Sequence, residues 1–277
     1  MSVLELFGHR AGAAVDWPTV VVGQQCPFLG RKCIKVRKSQ PEISIGTCTV
    51  SYGKESEPVI ICPHRLRERR RVFLDCIHLL RLHEPGNDLH LVPEVSVPGG
   101  SVDYFLVSAR DGTVRDFVGI ELQTLDTTGT VWPARQRLLQ EAGFMIEEPI
   151  ANKSYGMNWK MTAKTILVQL HHKVMTFEHL SKSLVLVVQD RLLDYMRSQF
   201  DFAHVEGIRN GDPMHIHAYG LERGDEFVLK LRDRVSTDTD GIGKALGLQA
   251  NPRVELDIIV EQLRAKMSDR TLIHIVE

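Results

Sequence analysis

The chain has 277 residues, 43% of them hydrophobic and 25% charged, a composition that excludes disordered, collagen-like and coiled-coil architectures. Its 34 basic and 35 acidic residues leave a formal net charge of −1, so any affinity for nucleic acid has to come from local patches. Its aliphatic runs, such as Leu184–Val188, are too short to span a bilayer, and MSVLELFGHR lacks the basic start and apolar stretch of a secretory signal. The expectation is a soluble intracellular protein with no membrane partner.

Four of the five cysteines, Cys26, Cys33, Cys48 and Cys62, fall within 37 residues at spacing C-x6-C-x14-C-x13-C. An odd total with no secretory signal argues against a disulfide framework. Pro27 and Pro63 follow the outer pair, and Gly23, Gly30, Gly46 and Gly53 punctuate the stretch as tight turns require. Four thiolates on turns can close a tetrahedral metal site, which suits zinc or iron equally. Residues 1–63 are therefore expected to form a four-cysteine metal-binding module, and 64–277 the catalytic core. Cys76 repeats at helical spacing with Phe73 and Leu80 and reads as a buried core residue.

Basic residues crowd this region: Arg31, Lys32, Lys35, Arg37 and Lys38, then Arg65, Arg67, Arg69, Arg70 and Arg71. Such runs are either solvated faces or phosphate contacts, and two of them beside one metal segment favour nucleic acid. Next, LRERRRVFLDCIHLLRL predicts an amphipathic helix from Arg65 to about His83. Ser101–Ser108 and Val114–Gln123 read as two strands of a hairpin, with Asp-Gly between alternating apolar runs. A long helix is predicted from Asn158 to about Phe177, burying Trp159, Ala163, Ile166, Leu170, Val174 and Phe177. Leu184–Gln189 reads as a buried strand and Arg191–Phe200 as the helix after it. His215–Tyr219 and Glu226–Leu231 follow as strands, and Val254–Lys266 as a last helix. The fold class is α/β (α+β): a mixed sheet flanked by helices.

The hairpin carries the chemistry. Glu121 and Gln123 share a strand face because side chains alternate. If the loop is Arg110–Gly112, with Gly112 at positive φ, Ala109 pairs with Thr113 and Asp103 falls opposite Gly119, with Glu121 diagonally adjacent on the same face. Gly119 then leaves room beside the acids. A strict two-residue loop would put Glu121 on the other face. Two carboxylates on one face need a cation, and magnesium binds such a pair while completing its shell with water and phosphate oxygens. Gln123 can orient water or a phosphate oxygen, and Glu94 is a candidate third acid.

Asp103, seventeen residues, then Glu121-Leu122-Gln123 resembles the PD-(D/E)xK nuclease signature, with glutamine in the place of lysine and no proline before Asp103. Five blocks in one order, CPFLGRKCIKVRKSQPEISIGTCTVSYG, PVIICPHRL, GSVDYFLVS, VGIELQTLDTTGT and NWKMTAKTILVQLHHK, resemble the NotI family of type II restriction endonucleases from about Gln25 to Asp190. The resemblance implies a PD-(D/E)xK core and a homodimer cutting both strands of a GC-rich palindrome with magnesium. It further implies a structural iron on Cys26, Cys33, Cys48 and Cys62, and an active site at Glu94, Asp103, Glu121 and Gln123, where glutamine is the family's residue. A prokaryotic cytoplasmic location and a separately encoded cognate DNA methyltransferase go with it.

On the long helix, Lys160, Lys164 and His171 form a polar stripe that could hold DNA phosphates. His171-His172 and His215-Ile216-His217 read as structural or DNA-contacting rather than chelating, since adjacent histidines on a helix diverge and no acidic or cysteine partner is expected near the second pair. The function expected is magnesium-dependent, site-specific hydrolysis of duplex DNA, with Asp103 and Glu121 holding the metal. A non-catalytic DNA-binding regulator built on the metal module, or a less specific nuclease of the same fold, are the rival readings.

Overall fold

The computed structural model describes residues 2–205, 207–248 and 256–268. At the N-terminus, β1 (Val3–Leu6), β2 (His9–Arg10), β3 (Thr47–Tyr52) and β4 (Glu57–Ile60) form an antiparallel sheet in the order β2-β1-β3-β4. The main sheet has six strands: β5 (Asp88–Val97), β6 (Gly100–Arg110), β7 (Thr113–Leu122), β8 (Ser183–Gln189), β9 (Met214–Arg223) and β10 (Phe227–Thr237). Their order is β10-β9-β8-β7-β6-β5; β7, β8 and β9 run parallel, and the outer pairings are antiparallel. Parallel neighbours need long crossovers. Helices α1 (Trp132–Glu141) and α2 (Trp159–His179) lie between β7 and β8, and α3 (Asp190–Gln199) lies between β8 and β9.

Alternation along the strands builds two apolar layers. Leu184, Leu186 and Val188 of β8 pack with Ala163, Ile166, Leu170, Val174 and Phe177 of α2 and with Leu192, Leu193 and Met196 of α3. Val185 and Val187 point the other way, with Val118, Ile120 and Leu122 of β7, onto Leu66, Val72, Phe73 and Leu79. At ~25 cal/mol per Å² of apolar surface, this double burial explains the near-continuous apolar run of β8. Val3, Leu6, Val50 and Val59 of the N-terminal sheet belong to the same cluster as the helices. Gln189 joins the two sheets: its Oε1 accepts from Ile60 N at 2.9 Å and its Nε2 donates to Pro58 O at 2.8 Å.

The helix predicted from Arg65 to His83 is broken into a 3₁₀ segment Pro63–Arg70, one α-turn Arg71–Leu74 and a 3₁₀ turn Ile77–Leu79. The break lies at Arg69 and Arg70, both left-handed (φ 49 and 57). Its cause is Arg65, 1% exposed, whose Nε is 2.9 Å from Glu5 Oε2, whose Nη1 is 2.7 Å from Glu68 and whose Nη2 donates to Phe227 O at 2.7 Å. A buried guanidinium satisfied by two other elements fixes the first turns, while Val72, Phe73, Cys76 and Leu79 still reach the sheet. Strand β5 is unforeseen by the alternation rule because Pro93 interrupts it; Pro93 is tolerated since β5 is an edge strand. The last helix spans Leu256–Lys266; Val254 and Glu255 lie outside the described residues. Among the described residues no helix is long and apolar enough to cross a membrane.

Candidate active site and cysteine cluster

The hairpin loop is Asp111–Gly112, two residues at φ 52 and 72, between the paired Arg110 and Thr113. Both positive φ values match the primed turn that suits strand twist. This corrects the three-residue loop expected from Arg110 to Gly112. Alone it would have set Glu121 and Asp103 on opposite faces. Between Ala109↔Val114 and Ser108↔Asp116, however, Arg115 is an extra residue, a β-bulge that shifts the register by one. Tyr104 then pairs with Ile120, so the next step brings Asp103 opposite Glu121 rather than Gly119. The acids are direct cross-strand neighbours. The room expected beside Gly119 is filled: a Cβ there would stand 2.4 Å from Phe177 Cζ.

Asp103 is half-buried, and its Oδ2 accepts from Leu122 N at 2.9 Å. Glu121 is 6% exposed and faces α2, where Lys173 Nζ donates to its Oε1 at 2.6 Å and to Ser101 O at 2.6 Å. Burial, with the Asp103 charge adding to it, pushes the Glu121 carboxyl up to about 7 even though Lys173 pulls it down. These side chains line a polar cavity of about 380 Å³ with Gln123, Gln169 and Ser101. The Gly99–Gly100 turn makes the approach possible: at φ 96 and 129, it lies against the His172–Lys173 backbone, where a Cβ on Gly99 would come within 2.9 Å. Gln123 is half-buried, its Nε2 donating to Thr124 O at 2.6 Å.

Glu94 falls between Pro93 and Val95, which pair with Tyr104 and Val102, and so stands opposite Asp103 on β5. Glu94, Asp103 and Glu121 thus occupy one row across three strands. Glu94 is exposed, left-handed at φ 53, and outside the cavity lining. Lys160 and Lys164 are exposed and His171 half-buried. At about 100° per residue all three lie roughly 140–180° round α2 from Lys173, away from the acids. Lys173 is the residue that sequence reasoning missed. Its signal was a lysine three residues after Leu170 and four before Phe177, inside the apolar stripe, where a solvated lysine does not belong.

His215 and His217 are fully buried, and burial lowers their imidazoles to about 4 and about 3. His215 Nε2 bonds Asp212 O at 3.0 Å, and His217 stacks on His78. Both are neutral packing residues at physiological pH, but the expectation of no cysteine nearby is corrected: Cys76 Sγ lies 3.9 Å from His217 Nδ1.

Cys26, Cys33, Cys48 and Cys62 are each at most 8% exposed, and none forms a disulfide. The backbone amides of Leu29 and Phe28 donate to the Cys26 sulfur, that of Gly8 to Cys48 and that of His64 to Cys62. Burial raises all three thiols, and the other cysteines add to the rise. A thiolate-bound metal would relieve the cost of that burial, and the Cys48 thiol itself donates to Gly46 O at 3.4 Å. Among the described residues, though, no group of three or more His, Cys, Asp or Glu side chains is arranged to hold a metal ion. Cys76 lies apart, its thiol donating to Val72 O at 3.1 Å.

No curated protein and no solved structure matches the chain. One family profile, described as Restriction endonuclease NotI, matches residues 24–215, which include the four spaced cysteines, the three-acid row and Lys173. With a match over more than half of its length, the chain belongs to the NotI family of restriction endonucleases.

Proposed function

We propose that this chain is a magnesium-dependent type II restriction endonuclease that hydrolyses phosphodiester bonds at a specific, GC-rich palindromic site in duplex DNA. The observation that carries the reading is the meeting of Asp103 and Glu121 in one polar cavity with Lys173. Two carboxylates against one lysine leave a negative charge in the cavity, and the donors are hard oxygens, the set that magnesium takes together with substrate phosphate. When bound, magnesium supplies charge stabilisation at the phosphate and a more acidic water. Asp103 and Glu121 hold it. Gln123 orients water or a phosphate oxygen through its amide. Glu94, one strand further out, accepts a proton or hydrogen-bonds water beside Asp103. Lys173 holds the Glu121 carboxylate at its Oε1 and supplies the positive charge that glutamine at position 123 does not.

A palindromic target calls for two-fold symmetry, hence a homodimer, and such an enzyme works beside a cognate methyltransferase that protects the same site. Residues 1–63 are assigned as the metal module, with Cys26, Cys33, Cys48 and Cys62 holding a structural iron or zinc, and 64–277 as the nuclease core. Digestion of a plasmid of mixed sequence with magnesium is expected to give discrete bands. Glu121→Ala should lower cleavage by at least ~10³-fold while leaving specific binding in calcium largely intact. Cleavage by that variant at near wild-type rate would overturn the assignment.

A further inference from the structure

A second cavity, of about 650 Å³ against about 380 Å³ for the acid site, opens on the sheet face turned away from α2. Arg67, Arg69, Arg70 and His90 line it, and no carboxylate does. Two of the five arginines in the 65–71 run are withdrawn: Arg65 is buried on Glu5 and Glu68, and Arg71 Nη1 donates to Leu229 O at 3.2 Å. Glu68, the acid inside the run, is already held by Arg65 and Leu229 N. Among the described residues no ion pair includes Arg67, Arg69 or Arg70. Arg67 is braced over the Tyr104 ring at 5.6 Å. Arg69 and Arg70 are exposed, and the kink between the 3₁₀ segment and the α-turn directs both into the groove.

We infer that Arg67, Arg69 and Arg70 form a phosphate clamp for the backbone of duplex DNA, distinct from the acid cavity. Three guanidiniums that form no ion pair, with the neighbouring Glu68 already held by Arg65, are matched by an anion, and their planar forks pair bidentately with phosphate oxygens. The wall made by Pro27–Gly30 is apolar and can lie along deoxyribose. Tyr104, under Arg67, adjoins Asp103 in sequence, so the clamp and the acids sit on the two faces of one strand pair. The clamp rests on the DNA-cutting reading but has its own readout.

The test is the affinity of a short fluorescent duplex of mixed sequence, measured by anisotropy in calcium over a series of potassium chloride concentrations. The double variant Arg69→Gln/Arg70→Gln keeps the length and solvation of two exposed side chains. It is expected to weaken binding at least severalfold at low salt and to lower the slope of log affinity against log salt by about 0.9 per arginine. Arg69→Lys/Arg70→Lys should retain the slope and lose part of the affinity. A folded glutamine variant with wild-type slope and affinity overturns the clamp; if the wild type meanwhile cuts DNA, the nuclease reading stands. A reduced slope in a protein that never cuts supports the clamp and sinks the nuclease reading. A wild type that binds no duplex overturns both.

Discussion

At the residue scale, Lys173 and Glu121 form a buried ion pair at 2.6 Å whose two members come from different elements. Removing one partner of such a pair costs about 3–5 kcal/mol, because the other is left charged and unpaired, unless it can neutralise itself. Glu121 can: its carboxyl is already raised to about 7 by burial and by Asp103. Lys173→Met is therefore expected to raise the Glu121 pKa further and to abolish cleavage, with the stability loss largest above neutral pH. The double variant Lys173→Met/Glu121→Gln should recover stability and not cleavage, a non-additivity that a thermal double-mutant cycle measures. The sign of the wild-type dependence follows. A carboxyl at 4.5 unfolded and about 7 folded binds more protons in the native state between those values. Metal-free protein should then lose on the order of 1–3 kcal/mol as pH rises through this window, and Glu121→Gln should flatten the curve. Opposite dependence, or none, would mean that Lys173 holds Glu121 ionised throughout.

At the scale of elements, the acids meet because the extra residue Arg115 is absorbed in a bulge. The strands, the Asp-Gly turn and the long helix were legible because alternation and the 3.6-residue period act locally. The loop parity was not: a two-residue primed turn and a bulge cancel, and a bulge at Arg115 has no sequence signature comparable to Asp-Gly. Both acids share a face, as the pattern predicts, through a two-residue loop and a bulge in place of a three-residue loop. Similarly, the broken helix after Cys62 was illegible because the partners that kink it, Glu5 and Phe227, are remote in sequence. Deleting Arg115 tests this arrangement. It removes the bulge but leaves Ala109↔Val114 and Ser108↔Asp116 as consecutive pairs, so Asp103 stays opposite Glu121. The folded deletion variant should therefore keep cleavage at least in part, as read by plasmid digestion. Abolished cleavage in a folded deletion variant would show that the register is not set by the Asp111–Gly112 turn and the bulge together.

At the scale of the whole molecule, the cysteine cluster and the acid cavity are mechanically joined. Cys62 follows Ile60 and Ile61; Ile60 N is held by Gln189 at the end of β8, and β8 carries Val187, whose carbonyl accepts from Gln123 N at 2.9 Å. On the same side, Glu5 accepts from Thr49 and from Arg65, tying β1, β3 and the arginine segment together. A metal on the four sulfurs would brace this path, since binding free energy at a site formed only in the folded state is folding free energy. Without it, all four sulfurs are buried, and burial raises the thiols of Cys26, Cys48 and Cys62. Metal analysis of purified protein is expected to give one iron or zinc per chain, absent from Cys48→Ser and retained in Cys76→Ser, whose sulfur lies in a separate apolar layer with Leu66 and Phe73. Loss of the metal should lower Tm by ~5 °C or more and weaken cleavage through Gln123 and its strand, without touching Asp103 or Glu121. Equal metal content in the two variants would remove Cys48 from the ligand set. A metal-free wild type with full activity and unchanged Tm would show that the four buried thiols pack as ordinary core residues and that the brace is the Gln189 and Arg65 hydrogen bonds alone.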